Sequence, residues 1–139
     1  MHTASGRVVF FLLLLASGST LCGQQKIAAA DAKLHIGQQA TVCGSVGGVH
    51  YASRSKGEPT FINLDSPYPN QVFTILIWGS DRPKFGNPEQ SYSGKRLCVS
   101  GLITAYRDVP EIVAHDPSAI SNSEIVVHMA KLRDKNRSC

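Results

Sequence analysis

The stretch Gly57–Trp78, GEPTFINLDSPYPNQVFTILIW, decides how the rest of the chain is read. Thr60–Asp65 and Val72–Trp78 are rich in aromatic and β-branched residues and alternate at period two, as strands do. Pro67 and Pro69 between them mark a turn. The pair therefore reads as a hairpin. Outward from it the pattern continues. Gln39–His50 carries Val42, Val46 and Val49 among Gly44, Gly47 and Gly48, and glycine permits the sharp coil that the first strand of a small barrel needs. Lys95–Tyr106 is a further strand, with Leu97, Val99 and Leu102-Ile103 interrupted by Gly101. Arg107-Asp108 makes a tight turn into a short fifth strand, Val109–Ala114, which Asp116-Pro117 ends. Between Gly79 and Ser93, Pro83, Gly86 and Pro88 exclude a long helix and leave one helical turn at Pro88–Tyr92.

Five short strands, with a longer irregular or helical connection between the third and fourth, predict an all-β chain. The specific expectation is a five-stranded OB-fold barrel. In that topology the first and fourth strands are antiparallel neighbours, which places Cys43 opposite Cys98 at a spacing suited to a disulfide.

The 139 residues divide into one domain with a leader and a tail. Arg7, the apolar run Val8–Ala16 and the small polar region from Ser17 have the layout of a secretory signal peptide. The apolar run is about half of the roughly 20 residues a membrane-spanning helix requires, and no later segment serves as a span. Lipidation at Cys22 is disfavoured by Leu21, which is too bulky for a lipoprotein signal. The expected organisation is a signal peptide over 1–23, a linker or short helix over 24–35, the barrel over 36–127 and a basic disordered tail over 128–139. An exported chain, periplasmic or secreted, makes a Cys43–Cys98 bridge the natural reading of those cysteines. No C-x-x-C pair or histidine at ligand spacing points to a metal, so no metal or other cofactor is expected. Cys139 is left odd, free or paired with another chain.

The net charge of +4 is unevenly placed. From Asp31 to Val127 eight lysines and arginines face nine acids, so the excess sits in Lys131, Arg133, Lys135 and Arg137 of the tail. Bulk charge is thus weak evidence of a polyanionic partner.

The segments Val42–Val46 (VCGSV), Pro59–Leu64 (PTFINL), Tyr68-Pro69, Phe73–Trp78 (FTILIW), Gly94–Gly101 (GKRLCVSG) and Tyr106–Ile112 (YRDVPEI) carry a resemblance spread over Ile36–Ile120. In that order they resemble bacterial OB-fold nucleic-acid-binding modules of the exported or nuclease-associated kind, related to anticodon-binding OB domains. The resemblance implies binding across the second and third strands, framed by the loops between strands one and two and between strands four and five. Aromatic side chains there stack on bases while basic ones follow the phosphates.

The residues so implied are Phe61, Asn63 and Phe73 on the strands, Arg54 and Lys56 in the first loop, and Tyr106 and Arg107 in the other. Arg82 and Lys84 lie just beyond the third strand and would extend the track. Alternation puts Phe61 and Asn63 on the face opposite Ile62 and Leu64. It also sets Phe73 against Trp78, so that only one of the two faces solvent. For both, core packing outweighs stacking, and ordinary surface charge is as good a reading of the basic residues as phosphate binding.

Asp65, Asp81, Asp108, Glu111 and Asp116 are scattered acids near turns and strand ends. No histidine has a nucleophile or carboxylate at suggestive spacing. The expected function is non-enzymatic: an exported module binding single-stranded DNA or RNA. The alternative is a periplasmic protein- or glycan-interaction module on the same barrel.

Overall fold

The computed structural model describes residues 24–123. The leader, Cys22, the apolar Ile125–Val127, the basic tail and Cys139 lie outside the described residues.

Among the described residues eight strands make one connected sheet. They are β1 (Lys26–Ala28), β2 (Gln39–Tyr51), β3 (Thr60–Leu64), β4 (Phe73–Ile77), β5 (Arg96–Leu102), β6 (Thr104–Tyr106), β7 (Val109–Val113) and β8 (Ile120–Asn122). The hydrogen-bonded order is β6-β7-β4-β3-β2-β5-β8, with β1 added parallel to β2. The chain is mostly β. The five expected strands are all present, within a residue or two at their ends, as β2, β3, β4, β5–β6 and β7.

The fourth expected strand is broken at Ile103, for a visible reason. That side chain is fully buried, and its backbone pairs with the chain ahead of β2: Gly37 donates to the Ile103 carbonyl at 2.8 Å and Ile103 donates to Gln38 at 3.0 Å. Strands β5 and β6 are separated by this one residue. The pairing path that leaves β5 through β2, β3, β4 and β7 thus returns on β6 to the same stretch of chain.

Strand β2 serves two neighbours. Gln39–Ser45 pair with β5 and Val46–Tyr51 with β3, with a register shift between Val46 and Gly48. The bend falls at Gly47, where an added Cβ would lie 2.5 Å from the Ser66 carbonyl carbon. Only glycine lets the β3–β4 connection rest directly on β2 at that point. Asp65 locks the same corner: its backbone N–H donates to the Ser45 carbonyl at 2.7 Å, and its carboxylate accepts from the Ser45 N–H at 2.9 Å.

In the other half of β2, Cys43 stands opposite Cys98 in the β2–β5 ladder, and the two are joined as a disulfide. With a sequence separation of 55, the bridge contributes about 4 kcal/mol on the chain-entropy model.

Residues 26–35, expected as linker or short helix, belong to the domain. Ile27 of β1 is buried, and the 3-10 helix Ala29–His35 sets Ala29 and Ala32 into the core. Their small side chains permit close approach, and Ala29 sits against Gly44 of β2. The rest of the core comes from the inward faces of the strands, including Val42, Ile62, Leu64, Phe73, Ile75, Ile77, Leu97, Val99 and Ile112.

The connection from β4 to β5 holds a 3-10 turn, Arg82–Phe85, and the helix α1 at Pro88–Tyr92, where it was expected. Pro88 is the first helical residue, and the Asn87 side chain accepts from the Gln90 N–H at 3.4 Å, which starts the helix. No helix among the described residues is long and apolar enough to cross a membrane.

Candidate functional site

Alternation along β3, β4 and β7 divides their side chains between two faces. Ile62, Leu64, Phe73, Ile75, Ile77 and Ile112 point inward and are fully buried. The outer face carries two rows across the strands. One row is His50, Phe61, Leu76 and Val113; the other is Gly48, Asn63, Thr74 and Glu111.

This settles the competition between Phe73 and Trp78. Phe73, expected at the site, is fully buried inside, because it shares the inward face with Ile75 and Ile77. Trp78 is 38% exposed at the end of β4. Its ring covers Gly57, where an added Cβ would come within 2.9 Å. Gly57 has φ +80°, so glycine meets both a backbone and a contact demand there.

Phe61 lies on the outer face, half-buried, between His50 and Leu76. Asn63 is on the same face but buried, and its Oδ1 accepts from the Thr74 hydroxyl at 3.2 Å. It is a fixed polar spot beside Phe61 rather than an exposed one.

The basic candidates separate into two groups. Arg82 is held: its guanidinium lies 3.8 Å over the Tyr51 ring, donates to the Thr60 hydroxyl at 2.6 Å, and grips both Glu89 oxygens at 3.0 Å. Burial, the largest single influence, would raise the Glu89 carboxyl, but the Arg82 hydrogen bonds, a backbone hydrogen bond and the Arg82 charge together outweigh it, and the group sits below its ordinary value. Lys84 donates to Asp81 at 2.7 Å and to the His115 carbonyl at 3.1 Å. His115 Nδ1 is 2.9 Å from the other Asp81 oxygen, and the hydrogen bonds from Lys84 and then His115 hold Asp81 low. These contacts tie the end of β4 to the segment after β7. Neither Arg82 nor Lys84 extends a track along the face.

Arg54 and Lys56 differ. They are exposed in the β2–β3 connection and have no ion pair or hydrogen bond among the described residues. Arg107 stands at the opposite end of the face, in the two-residue turn between β6 and β7. Both turn residues have positive φ (Arg107 +49°, Asp108 +65°), which gives the hairpin the twist its strands require. The Arg107 guanidinium lies 5.3 Å from the ring of Tyr106, which is 60% exposed on the outer side. The face is therefore flanked by Trp78, Arg54 and Lys56 at one end and by Tyr106 and Arg107 at the other, with Phe61 between.

Glu111, one of the scattered acids, lies on this face. Glu111 pairs with Thr74 on one side and Thr104 on the other, on the outer side of β7. Burial raises its carboxyl above the ordinary value, and no hydrogen bond offsets this. The alternation of Val109, Glu111 and Val113 against Pro110 and Ile112 was the signal that could have placed it. Among the described residues no group of three or more His, Cys, Asp or Glu could hold a metal ion.

No protein-family model matches the chain, and no curated protein sequence does. Solved structures similar to it include an OBody, AM2EP06, bound to hen egg-white lysozyme (12% identity over 68% of this chain and 88% of that one, TM-score 0.47). Another is an aspartyl-tRNA synthetase from Leishmania major Friedlin (11% identity over 77% of this chain, TM-score 0.47), of which this chain spans 22%. A third is the Schizosaccharomyces pombe Stn1–Ten1 complex (14% identity over 71% of each chain, TM-score 0.45). At these scores the likenesses decide nothing about function; the strand pairing and the face carry the reading.

Proposed function

We propose that this chain is an exported five-stranded OB-fold barrel that binds single-stranded nucleic acid across the outer face of β3, β4 and β7. On this reading β2, β3, β4, β5–β6 and β7 are the five barrel strands, and the protein is a binding module without catalysis. The single break at Ile103 and the path returning to β6 support the barrel. The disulfide is compatible with export.

The observation that carries the reading is the distribution of unpaired cations and exposed aromatics. Arg54, Lys56 and Trp78 sit at one end of the face, Tyr106 and Arg107 sit at the other, and Phe61 lies midway. A single strand laid across would meet phosphate partners at both ends and a ring in the middle. Stacking contributes roughly 1–3 kcal/mol per base, and each engaged phosphate adds about 0.7 to the salt dependence for a single strand. Three free cations therefore give a slope of about −2 in log K against log salt.

Titrating the full chain with labelled oligonucleotides at two salt concentrations tests this. Absence of binding at low salt, or an affinity indifferent to salt, overturns it.

A further inference from the structure

Strands β1, β2, β5 and β8 carry a second outer surface, apart from the one that β3, β4 and β7 present. Val42, Leu97 and Val99 point into the core, so alternation turns their neighbours Cys43, Arg96 and Cys98 outward. The ladders set Ala28, Cys43 and Cys98 side by side on β1, β2 and β5. Lys26 precedes Ala28 by two residues and Arg96 precedes Cys98 by two. Because β1 and β5 run in opposite directions, the two cations stand on either side of the disulfide.

These residues, with Ile27 and Ser123, line an open cleft of about 580 Å³. Small-molecule sites fall at roughly 300–1,000 Å³. Both charges in the cleft are unspent. Lys26 and Arg96 are exposed, and neither side chain has a hydrogen bond, ion pair or ring contact among the described residues. No acidic side chain lines the cleft. The Ser123 hydroxyl donates to the Arg96 backbone carbonyl at 3.2 Å, so it fastens the chain after β8 to β5. Between the cations, Ala28 and the disulfide present no N–H or O–H from their side chains.

A bare inorganic anion would meet the charges and leave most of this volume to water. A neutral apolar molecule would cover the floor and gain nothing from the cations. A ligand with both an apolar body and an acidic group uses the whole cleft, and its body excludes water from beside the charges, which strengthens their attraction. We propose that the cleft binds a small organic anion, its apolar body against Ala28 and the Cys43–Cys98 bridge and its acidic groups paired with Lys26 and Arg96. The site is separate from the nucleic-acid reading, since none of its residues lies on the outer face of β3, β4 and β7.

The probe is anilinonaphthalene sulfonate, an aromatic anion whose fluorescence rises in apolar surroundings, titrated into the full chain beside its uncharged relative phenylnaphthylamine. The expected result is saturable one-to-one binding of the sulfonate, about tenfold tighter than the neutral probe, as a hydrogen bond to a charged group implies. Either cation can meet the single sulfonate, so both are removed together. In the double variant Lys26→Gln, Arg96→Gln the two affinities converge, with the melting temperature nearly unchanged. Ala28→Trp fills the floor, keeps both charges and abolishes saturable binding; it decides the matter if the double variant does not fold. Absence of saturable sulfonate binding overturns the inference. So do equal affinities for the two probes, and a preference for the sulfonate that survives in either variant. Oligonucleotide affinity stays as in the parent protein in the double variant; a parallel loss would overturn the cleft as a separate site.

Discussion

Arg82 and Lys84 on one side, and Arg54, Lys56 and Arg107 on the other, look alike in the sequence, yet they do different work. The first two close the molecule. Arg82 is stacked on Tyr51 and clamped to Glu89, and Lys84 joins Asp81 and His115 across the ends of β4 and β7. The other three have no ion pair among the described residues and stand at the two ends of the outer face. A basic residue is available to a ligand only if no carboxylate has taken it first. For Arg82 that acid is Glu89, brought from α1; for Lys84 it is Asp81, three residues earlier in the same segment after β4.

The largest test of this contrast is Arg82→Ala. Breaking a fully buried ion pair costs about 3–5 kcal/mol, and the partial exposure of Arg82 and Glu89 brings the expected loss to about 2 kcal/mol. Urea unfolding measures it. The salt dependence of oligonucleotide binding should stay as in the parent protein; a reduced slope would move Arg82 into the binding group.

Next in size is the acid limb. The Glu89 carboxyl is held below its ordinary value of 4.5 in the folded state. Its contribution to stability is therefore complete above pH 4.5 and disappears as the pH falls through the lowered folded value. Glu89→Gln should flatten the fall of melting temperature in that window. An unchanged acid limb would mean that the Arg82–Glu89 contact is not made in solution.

Glu111 has the opposite sign. Its folded value is raised, so the folded state prefers the neutral acid, and stability declines as the pH rises from 4.5 through the raised value. Glu111→Gln should raise the melting temperature slightly at pH 7, and the gain should vanish below pH 4.5. A lowered melting temperature at pH 7 would mean that the carboxylate has a partner on the face.

Lys84→Ala should shift the melting temperature least of all, since both Lys84 and His115 are largely exposed and such pairs are worth little. A loss comparable to that of Arg82→Ala would erase the ranking within the closed end.

Much of the fold was legible because the strands are short and their alternation clean. The hairpin, the Arg107-Asp108 turn, the helix at Pro88 and the Cys43–Cys98 pairing all followed from local pattern and one topology. What local pattern lacked was long-range pairing. Nothing in Gln24–Lys33 announces that Ile27 adds a strand to β2, or that Ala29 and Ala32 are small enough to enter the core. Ile103 looks like the middle of a strand until its backbone is seen to pair with Gly37 and Gln38.

The site was legible in part, for the same reason. Alternation placed Phe61 outward and left one of Phe73 and Trp78 for the surface, but choosing between them required knowing which face of β4 the core takes. The pinning of Arg82 on Tyr51 and Thr60 depends on contacts that no spacing records, whereas the partner of Lys84, Asp81, stands three residues before it. Glu111 was within reach of the alternation rule, since it sits inside the strand read over Val109–Ala114 with Val109 and Val113 on its side.

The central claim is that Arg54, Lys56 and Arg107, and not Arg82 or Lys84, meet the ligand. The direct measurement is the salt slope of oligonucleotide binding for the parent protein and for the triple variant Arg54→Ala, Lys56→Ala, Arg107→Ala. The account predicts a slope of about −2 in the parent, at about 0.7 per phosphate contact, falling toward zero in the triple variant with the melting temperature nearly unchanged. A flat slope in the parent, or one that survives in the triple variant, would contradict it.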